Sequence, residues 1–195
     1  MNGVFGRPAT GLKDASWAKN ETVARIGASG EVRTAAELDV FGSQAAVFHD
    51  LRVPIPNFKS NIDHVVVTGK RVLIIDTKVW KPGFYWTLGA AGRRGLKRFD
   101  YLEKDQTWLL EAVERYLAGT GAKIQPVHIA VWPHGPGKVN TTFLKIPGAK
   151  VIPASKVRDL VELNLARTPS DHAITSRLRS LVVGPPLRPA AGESF

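Results

Sequence analysis

Asn61-Ile-Asp-His-Val-Val-Val-Thr-Gly-Lys-Arg-Val-Leu-Ile-Ile-Asp-Thr-Lys78 is the stretch that decides the fold. Ile62–Thr68 and Arg71–Val79 are runs rich in β-branched residues, and Gly69-Lys70 between them is a turn. This pattern predicts an antiparallel hairpin with a two-residue turn region. A hairpin centred on Gly69-Lys70 sets Asp63 opposite Asp76. Side chains alternate along a strand, so Asp76 and Lys78 share one face and Thr77 takes the other. Two carboxylates facing each other across a ladder stand about 5 Å apart at Cβ. They repel unless a cation lies between them. A hard divalent ion with oxygen ligands, Mg²⁺ or Mn²⁺, satisfies that need, and Thr77 can add its backbone carbonyl.

Upstream, a helix is expected from a cap at Ser29 or Gly30, with Glu31 in its first turn and Gly42 as its stop. Ala35 and Leu38 fall on the same face as Glu31, so Glu31 should turn toward the sheet, while Glu37 should face water. A carboxylate on a core face needs a partner. Ala45–His49 reads as a strand, and Leu51–Asn61, with its two prolines, as an extended connector. Downstream, Asp100–Leu117 has the clearest helical period. Leu102, Gln106, Leu109, Val113 and Leu117 lie on one stripe, which places the Gln106 amide on an apolar face where it needs hydrogen bonds. Ile124–Trp132 and Lys150–Ile152 read as further strands, and Ser155 and Ser170 as caps of two helices. The order is helix, three strands, helix, strand, then a smaller α/β end: a mixed α/β (α+β) sheet with helices packed on it.

Between hairpin and second helix, residues 80–99 hold Lys81, Arg93, Arg94, Lys97 and Arg98 with no acid among them. Glycines loosen this stretch, and it reads as a mobile basic segment. Gly89–Gly95 lacks the Gly-Lys-Ser/Thr ending of a phosphate-binding loop. The whole chain of 195 residues carries a net charge of +10, which favours a polyanionic partner. It has no cysteine, which excludes disulfides, thiolate metal sites and a cysteine nucleophile. The five histidines show no His-x3-His spacing for zinc, and His49 and His64 read as structural. Met1–Arg7 has no apolar stretch of secretion-signal length, and no apolar run reaches membrane-helix length. A soluble, cytoplasmic chain without a membrane partner is expected.

Asn61-Ile-Asp63-His-Val-Val-Val67 followed by Val72-Leu-Ile-Ile-Asp76-Thr-Lys78 resembles the NERD (nuclease-related) domain of the PD-(D/E)xK nuclease superfamily. Gly30-Glu31, Val47-Phe-His-Asp-Leu51 and Asp105-Gln106 match its pattern in the same order. Ile62 stands where the superfamily's proline is often found. The resemblance implies an αβββαβ core and metal-dependent cleavage of nucleic-acid phosphodiesters. Carried over by position, Asp63 and Asp76 hold Mg²⁺ or Mn²⁺ with Thr77's carbonyl. Glu31 completes the acidic site, Lys78 serves the nucleophilic water as base or orienting cation, and Gln106 supports the site. Lys59, Lys81, Arg93, Arg94, Lys97 and Arg98 bind the phosphate backbone, with little sequence preference.

The expected organisation is an N-terminal arm at 1–26, a nuclease core at 27–135, an α/β extension packed on the core at 136–183 and a tail at 184–195. The expected activity is DNA endonuclease. The alternatives are a catalytically quiet DNA-binding accessory of a transfer or repair system, and an RNA-directed nuclease. Nicking or double-strand cutting, one metal or two, and a homodimer stay open. An isolated Asp76-Thr-Lys78 triplet would more often be a surface ion pair; Asp63 at hairpin register, with Glu31 and Gln106 on core faces, weighs against that.

Overall fold

The computed structural model describes residues 1–10, 21–58, 60–89, 91–100 and 105–184. Its main sheet is mixed. The strands β1 (Gly3–Phe5), β2 (Ala46–Arg52), β3 (Asn61–Thr68), β4 (Arg71–Trp80), β9 (Val127–Pro133) and β11 (Ala149–Pro153) lie side by side in that order. The short β8 (Lys123–Ile124) pairs with the start of β4. β2, β3 and β4 form an antiparallel meander, whereas β9 runs parallel to β4 and β11 parallel to β9. Helix α1 (Glu21–Asp39) precedes the meander and α2 (Thr107–Tyr116) precedes β9, which gives the expected helix, three strands, helix, strand order. Helices α3 (Val157–Asn164) and α4 (His172–Arg179) follow.

Near-continuous apolar runs such as Val65-Val-Val67 and Val72-Leu-Ile-Ile75 belong to strands covered on both faces. Val65, Val67, Val72 and Ile74 pack with Leu109 and Val113 of α2 and with Ile174 and Leu178 of α4. Val66, Leu73 and Ile75 pack on the opposite face with Leu38 of α1 and with Val157 and Val161 of α3. Each such side chain, fully withdrawn from water, contributes about 1.5–3 kcal/mol.

Several local expectations differ from the structure. Helix α1 begins at Glu21, so Glu31 sits mid-helix instead of in a first turn. A cap was expected at Ser29 or Gly30, but Gly30 is an interior residue of the helix packed close against the sheet. A Cβ there would stand 2.5 Å from Val79 Cγ2 and 3.3 Å from Thr77 Cγ2. Strand β2 continues through Asp50 to Arg52, past the point where an extended connector was expected. Residues 3–5, expected in a loose arm, are edge strand β1.

The stretch expected to be mobile folds into three strands, β5 (Gly83–Leu88), β6 (Ala91–Arg94) and β7 (Lys97–Arg98). With β10 (Val139–Phe143) they make a second sheet in the order β10-β5-β6-β7. Gly89 and Gly95, at φ of +59° and +57°, lie at its turns, where glycine takes a conformation other residues resist. Tyr85 is buried and stacks on Trp80 at 5.1 Å, with Phe99 packed edge-on against both, which anchors this sheet to the end of β4.

Helix α2 starts at Thr107, because the Asp105 carboxylate accepts the Thr107 N–H and Gln106 occupies the cap position. Leu102 lies outside the described residues. α4 is capped by Asp171, which accepts the N–H groups of Ala173 and Ile174. Ser170 instead ties two strands, accepting from Ala46 N–H and donating to Val67 O. Ser155 lies within a 3₁₀ turn over Ala154–Lys156 that leads into α3, and its side chain caps nothing. The proline-rich tail lies outside the described residues from 185 onward.

Gly30→Ala exposes the tension where α1 meets β4. Alanine favours a helix interior by about 1 kcal/mol over glycine. The clash with Val79, a stiff β-branched side chain, should outweigh that gain, giving a net loss of about 1–3 kcal/mol in urea unfolding. A stabilised variant would mean that α1 can lift from the sheet freely.

Candidate active site at the open end of the hairpin

The β3–β4 ladder runs in register from Thr68 opposite Arg71 to His64 opposite Ile75. Asp63 and Asp76 come next on the same register. There the pairing changes, and Asp63 Oδ2 accepts the Thr77 N–H at 2.7 Å. Asp63 thereby replaces a main-chain acceptor and stays fixed beside Asp76. Lys78 Nζ donates to Asp76 Oδ1 at 2.6 Å and to the Thr77 carbonyl at 3.0 Å, and lies 4.0 Å from Asp63 Oδ2. Three of the oxygen groups expected around a dication, those of Asp63, Asp76 and the Thr77 main chain, thus lie about the Lys78 ammonium. Among the described residues, no three His, Asp or Glu side chains are gathered closely enough to form a metal-binding group.

Thr77 links this cluster to the helix above it. Its hydroxyl, on the other face of β4, donates to Thr34 Oγ1 at 3.0 Å. Trp132 Nε1 donates to the same Thr34 oxygen at 2.9 Å, and Thr34 donates to Gly30 O at 3.2 Å. One proton given and two accepted satisfy that buried hydroxyl. The clamp, with the close approach at Gly30, sets α1 over β4 and brings half-buried Glu31 into the field of Asp63, Lys78, Asp50 and Asp76. Burial first, then the Asp63 charge, pushes the Glu31 carboxyl up to about 9. Asp63 is pushed up to about 7, chiefly by burial; the Lys78 charge and the Thr77 N–H oppose the rise.

Asp50 is a fourth carboxylate that sequence reasoning did not assign. It is buried, at a positive φ of 54°, and accepts from Asn61 Nδ2 at 2.6 Å. His49 pairs with His64 and Leu51 with Ile62, so Asp50 falls between them opposite Asp63. The same register argument that joined Asp63 to Asp76 would have found it, had β2 been carried past His49.

Gln106 is buried at the start of α2. Its N–H donates to Pro147 O and its carbonyl accepts from Leu109 and Leu110, so the contacts described for it run to this corner of the fold. Lys59 lies outside the described residues. Lys81 is exposed before β5. Pairing of Arg93 with Arg98 and of Arg94 with Lys97 puts the first two on one face of the second sheet and the others on the opposite face. The basic residues therefore form two patches. Arg98 pairs with Asp100 at 2.6 Å. His49 and His64 face the α1 side, joined through Nδ1 atoms at 2.8 Å, with His49 Nε2 on Asp39 Oδ1, consistent with a structural role.

The raised carboxyls set a direction for pH. The folded chain holds protons on Glu31 and Asp63 that the unfolded chain has released, so their ionisation destabilises the fold as pH rises. The lowered histidines act in the opposite sense, but only below their ordinary value of 6.5. In EDTA, stability should therefore fall between pH 7 and about 9, by at most about 1.4 kcal/mol per unit for one group. Glu31→Gln should flatten that decline in urea titrations. An undiminished slope in the variant would remove Glu31 from the cluster.

Comparison with known proteins supports the sequence resemblance. The family model described as nuclease-related domain matches residues 26–131, more than half of the chain. Neither a search of curated proteins nor one of solved structures returned a match. The matched region runs from α1 into β9 and contains the hairpin, Thr34 and Thr77 of the clamp and every acid of the cluster. This chain belongs to the nuclease-related domain (NERD) family.

Proposed function

We propose that the chain is a divalent-metal-dependent endonuclease that hydrolyses DNA phosphodiester bonds with little sequence specificity. The observation that carries this reading is the cluster at the hairpin's open end, where Glu31, Asp50, Asp63 and Asp76 share one another's field with the single cation Lys78. One ammonium stands among four carboxyl groups, of which Glu31 keeps its proton up to about pH 9, and every donor is a hard oxygen. That chemistry fits Mg²⁺ or Mn²⁺. Asp63, Asp76, the Thr77 carbonyl and Glu31 would hold the ion. When bound, it would lower the pKa of a water and neutralise charge on the scissile phosphate.

The remaining work falls to the chain. As an ammonium, Lys78 has three donors and no lone pair. In its present pairing it therefore orients water or steadies the developing phosphate charge as a fixed donor. The Asp63–Thr77 bond fixes one acid against β4, and the Thr34 clamp fixes the helix that bears Glu31. Gln106 is proposed to support the site from the start of α2. Lys59, Lys81, Arg93, Arg94, Lys97 and Arg98 are proposed to bind phosphates, which positions a strand but reads no sequence.

The Lys78–Asp76 pair also favours a second reading, a quiet DNA-binding module whose acids are already neutralised internally. Supercoiled plasmid incubated with Mg²⁺, Mn²⁺ or EDTA separates the two. The nuclease reading expects nicked or linear product only with the ion. Asp76→Ala should abolish cutting while retaining DNA on a gel; full cutting by that variant would sink the site. Lys78→Ala should lower turnover by about 10²–10³, with a smaller change in Mn²⁺ affinity by calorimetry. Neutralising Arg93, Arg94, Lys97 and Arg98 should flatten the salt dependence of binding, by about 0.9 in log–log slope for each phosphate no longer neutralised. An unchanged slope would place the DNA elsewhere.

A further inference from the structure

The second sheet has an outer face that the acid cluster does not explain. In β5, Tyr85 and Thr87 point one way and Phe84, Trp86 and Leu88 the other. Tyr85 is buried against Trp80 and Phe99, so the other set faces outward. Register extends that face across all four strands. Phe143 of β10 pairs with Trp86, Trp86 with Arg93, and Arg93 with Arg98. Paired residues share a face, so one row reads Phe143, Trp86, Arg93, Arg98 from edge to edge. Phe84 lies beside this row, its ring 6.1 Å from that of Phe143.

These rings are open to solvent: Phe84 is 42% and Phe143 65% exposed. Trp86 is held in place by a 2.9 Å bond from Nε1 to Gly95 O. Arg93 bonds a backbone carbonyl, Leu96 O, which leaves its charge unneutralised by that bond. Residues 81–100 contain five Lys or Arg and one acid, Asp100, which pairs with Arg98. A protein of net charge +10 thus presents aromatic rings and guanidinium groups on one sheet face.

Charge complementarity selects a polyanion. A duplex offers phosphates, but its bases are stacked on each other and closed to a flat ring. An unpaired strand offers both phosphates and free base faces, and each base stacked on an aromatic side chain contributes without regard to sequence. We infer that the outer face of the β10-β5-β6-β7 sheet is a stacking platform for single-stranded nucleic acid, with Phe84, Trp86 and Phe143 under the bases and Arg93 and Arg98 on the backbone. The inference rests on the nuclease reading in one respect only, that the strand held here is substrate. It makes unpaired segments, such as flaps, gaps and branch points, the substrate class. Strand β4 carries Asp76 and Lys78 and ends at Trp80, against which Tyr85 on the platform's inner face stacks, so the platform is fastened to the strand that bears the acids.

The test uses the full chain in EDTA, where no cutting occurs, with fluorescence anisotropy of a labelled oligothymidylate and of a duplex of equal length. The single strand should bind more tightly at every salt concentration. Phe143→Ala and Phe84→Ala, both at exposed positions that tolerate truncation, should each weaken single-strand binding by about tenfold, with a smaller loss on duplex. Their salt slope should not change, because no charge is removed, whereas Arg93→Gln should lower it. Equal affinity for the two probes, or unaltered binding by both phenylalanine variants, overturns the platform. So does concentration-dependent self-association that Phe143→Ala abolishes without altering oligonucleotide binding, since the face would then be a protein interface. Plasmid cutting with equal probe affinities overturns the platform and leaves the nuclease reading standing. Preferential single-strand binding without any cutting supports the platform and removes the nuclease reading.

Discussion

Two acids on one rung of a hairpin cannot both stay ionised in a half-buried place without a cation, and much of this structure is arranged around that constraint. Asp63 is held by the Thr77 N–H and Asp76 by the Lys78 ammonium. Both partners come from the same strand, so the arrangement does not depend on a distant loop. Burial still outweighs this compensation at Asp63 and Glu31, whose carboxyls stand well above their ordinary range. The two carboxyls are thus held toward their protonated forms, and a nearby positive charge favours the ionised ones.

The core explains why this arrangement is tolerated. β3 and β4 are buried on both faces by four helices among the described residues, two on each side. The hairpin is pinned from Thr68 opposite Arg71 to His64 opposite Ile75, and slippage by one residue would turn every apolar side chain to the wrong face. Register is thus fixed by packing before the acids are reached, and the acids follow. α1 is fixed by a different device. Gly30 allows the helix to approach, and the Thr34 hydroxyl joins Thr77 on β4 to Trp132 on β9. The Glu31 position is the product of that close packing, not of helix propensity.

What was legible in the sequence depended on range. The hairpin, its turn at Gly69-Lys70 and the pairing of residues 63 and 76 rest on neighbours within one supersecondary unit, and period-two patterning reads those well. The start of α1 was misplaced because Ser29 and Gly30 look like a helix cap. Only the approach of Val79, some fifty residues away, reveals Gly30 as a packing residue. Asp50 was missed because β2 was ended at His49, ahead of the two prolines, although the strand continues to Arg52. The second sheet was missed because charge and glycine content drew the reading toward a loop. The alternation of Tyr85 and Thr87 against Phe84, Trp86 and Leu88 was present in the same residues. Lys78 was read correctly as a neighbour of the acids, but its 2.6 Å bond to Asp76 is tertiary detail that no spacing rule contains.

The division of labour along β4 follows from these interactions. Its first half, Arg71–Ile75, is apolar and buried after the exposed Arg71, and builds the core. Its next three residues carry an acid, a threonine whose N–H, carbonyl and hydroxyl are all engaged, and a lysine. Its last residue, Trp80, meets Tyr85 and Phe99 and anchors the second sheet. One strand paired on both sides is among the least deformable elements a small domain has. On the proposed reading, a charged cluster placed on it, with a basic and aromatic sheet fastened to its end, keeps a constant separation between the place where a strand would be held and the place where chemistry would occur. Such preorganisation costs no rearrangement at the moment of reaction, and that is the property phosphoryl chemistry needs most from its protein.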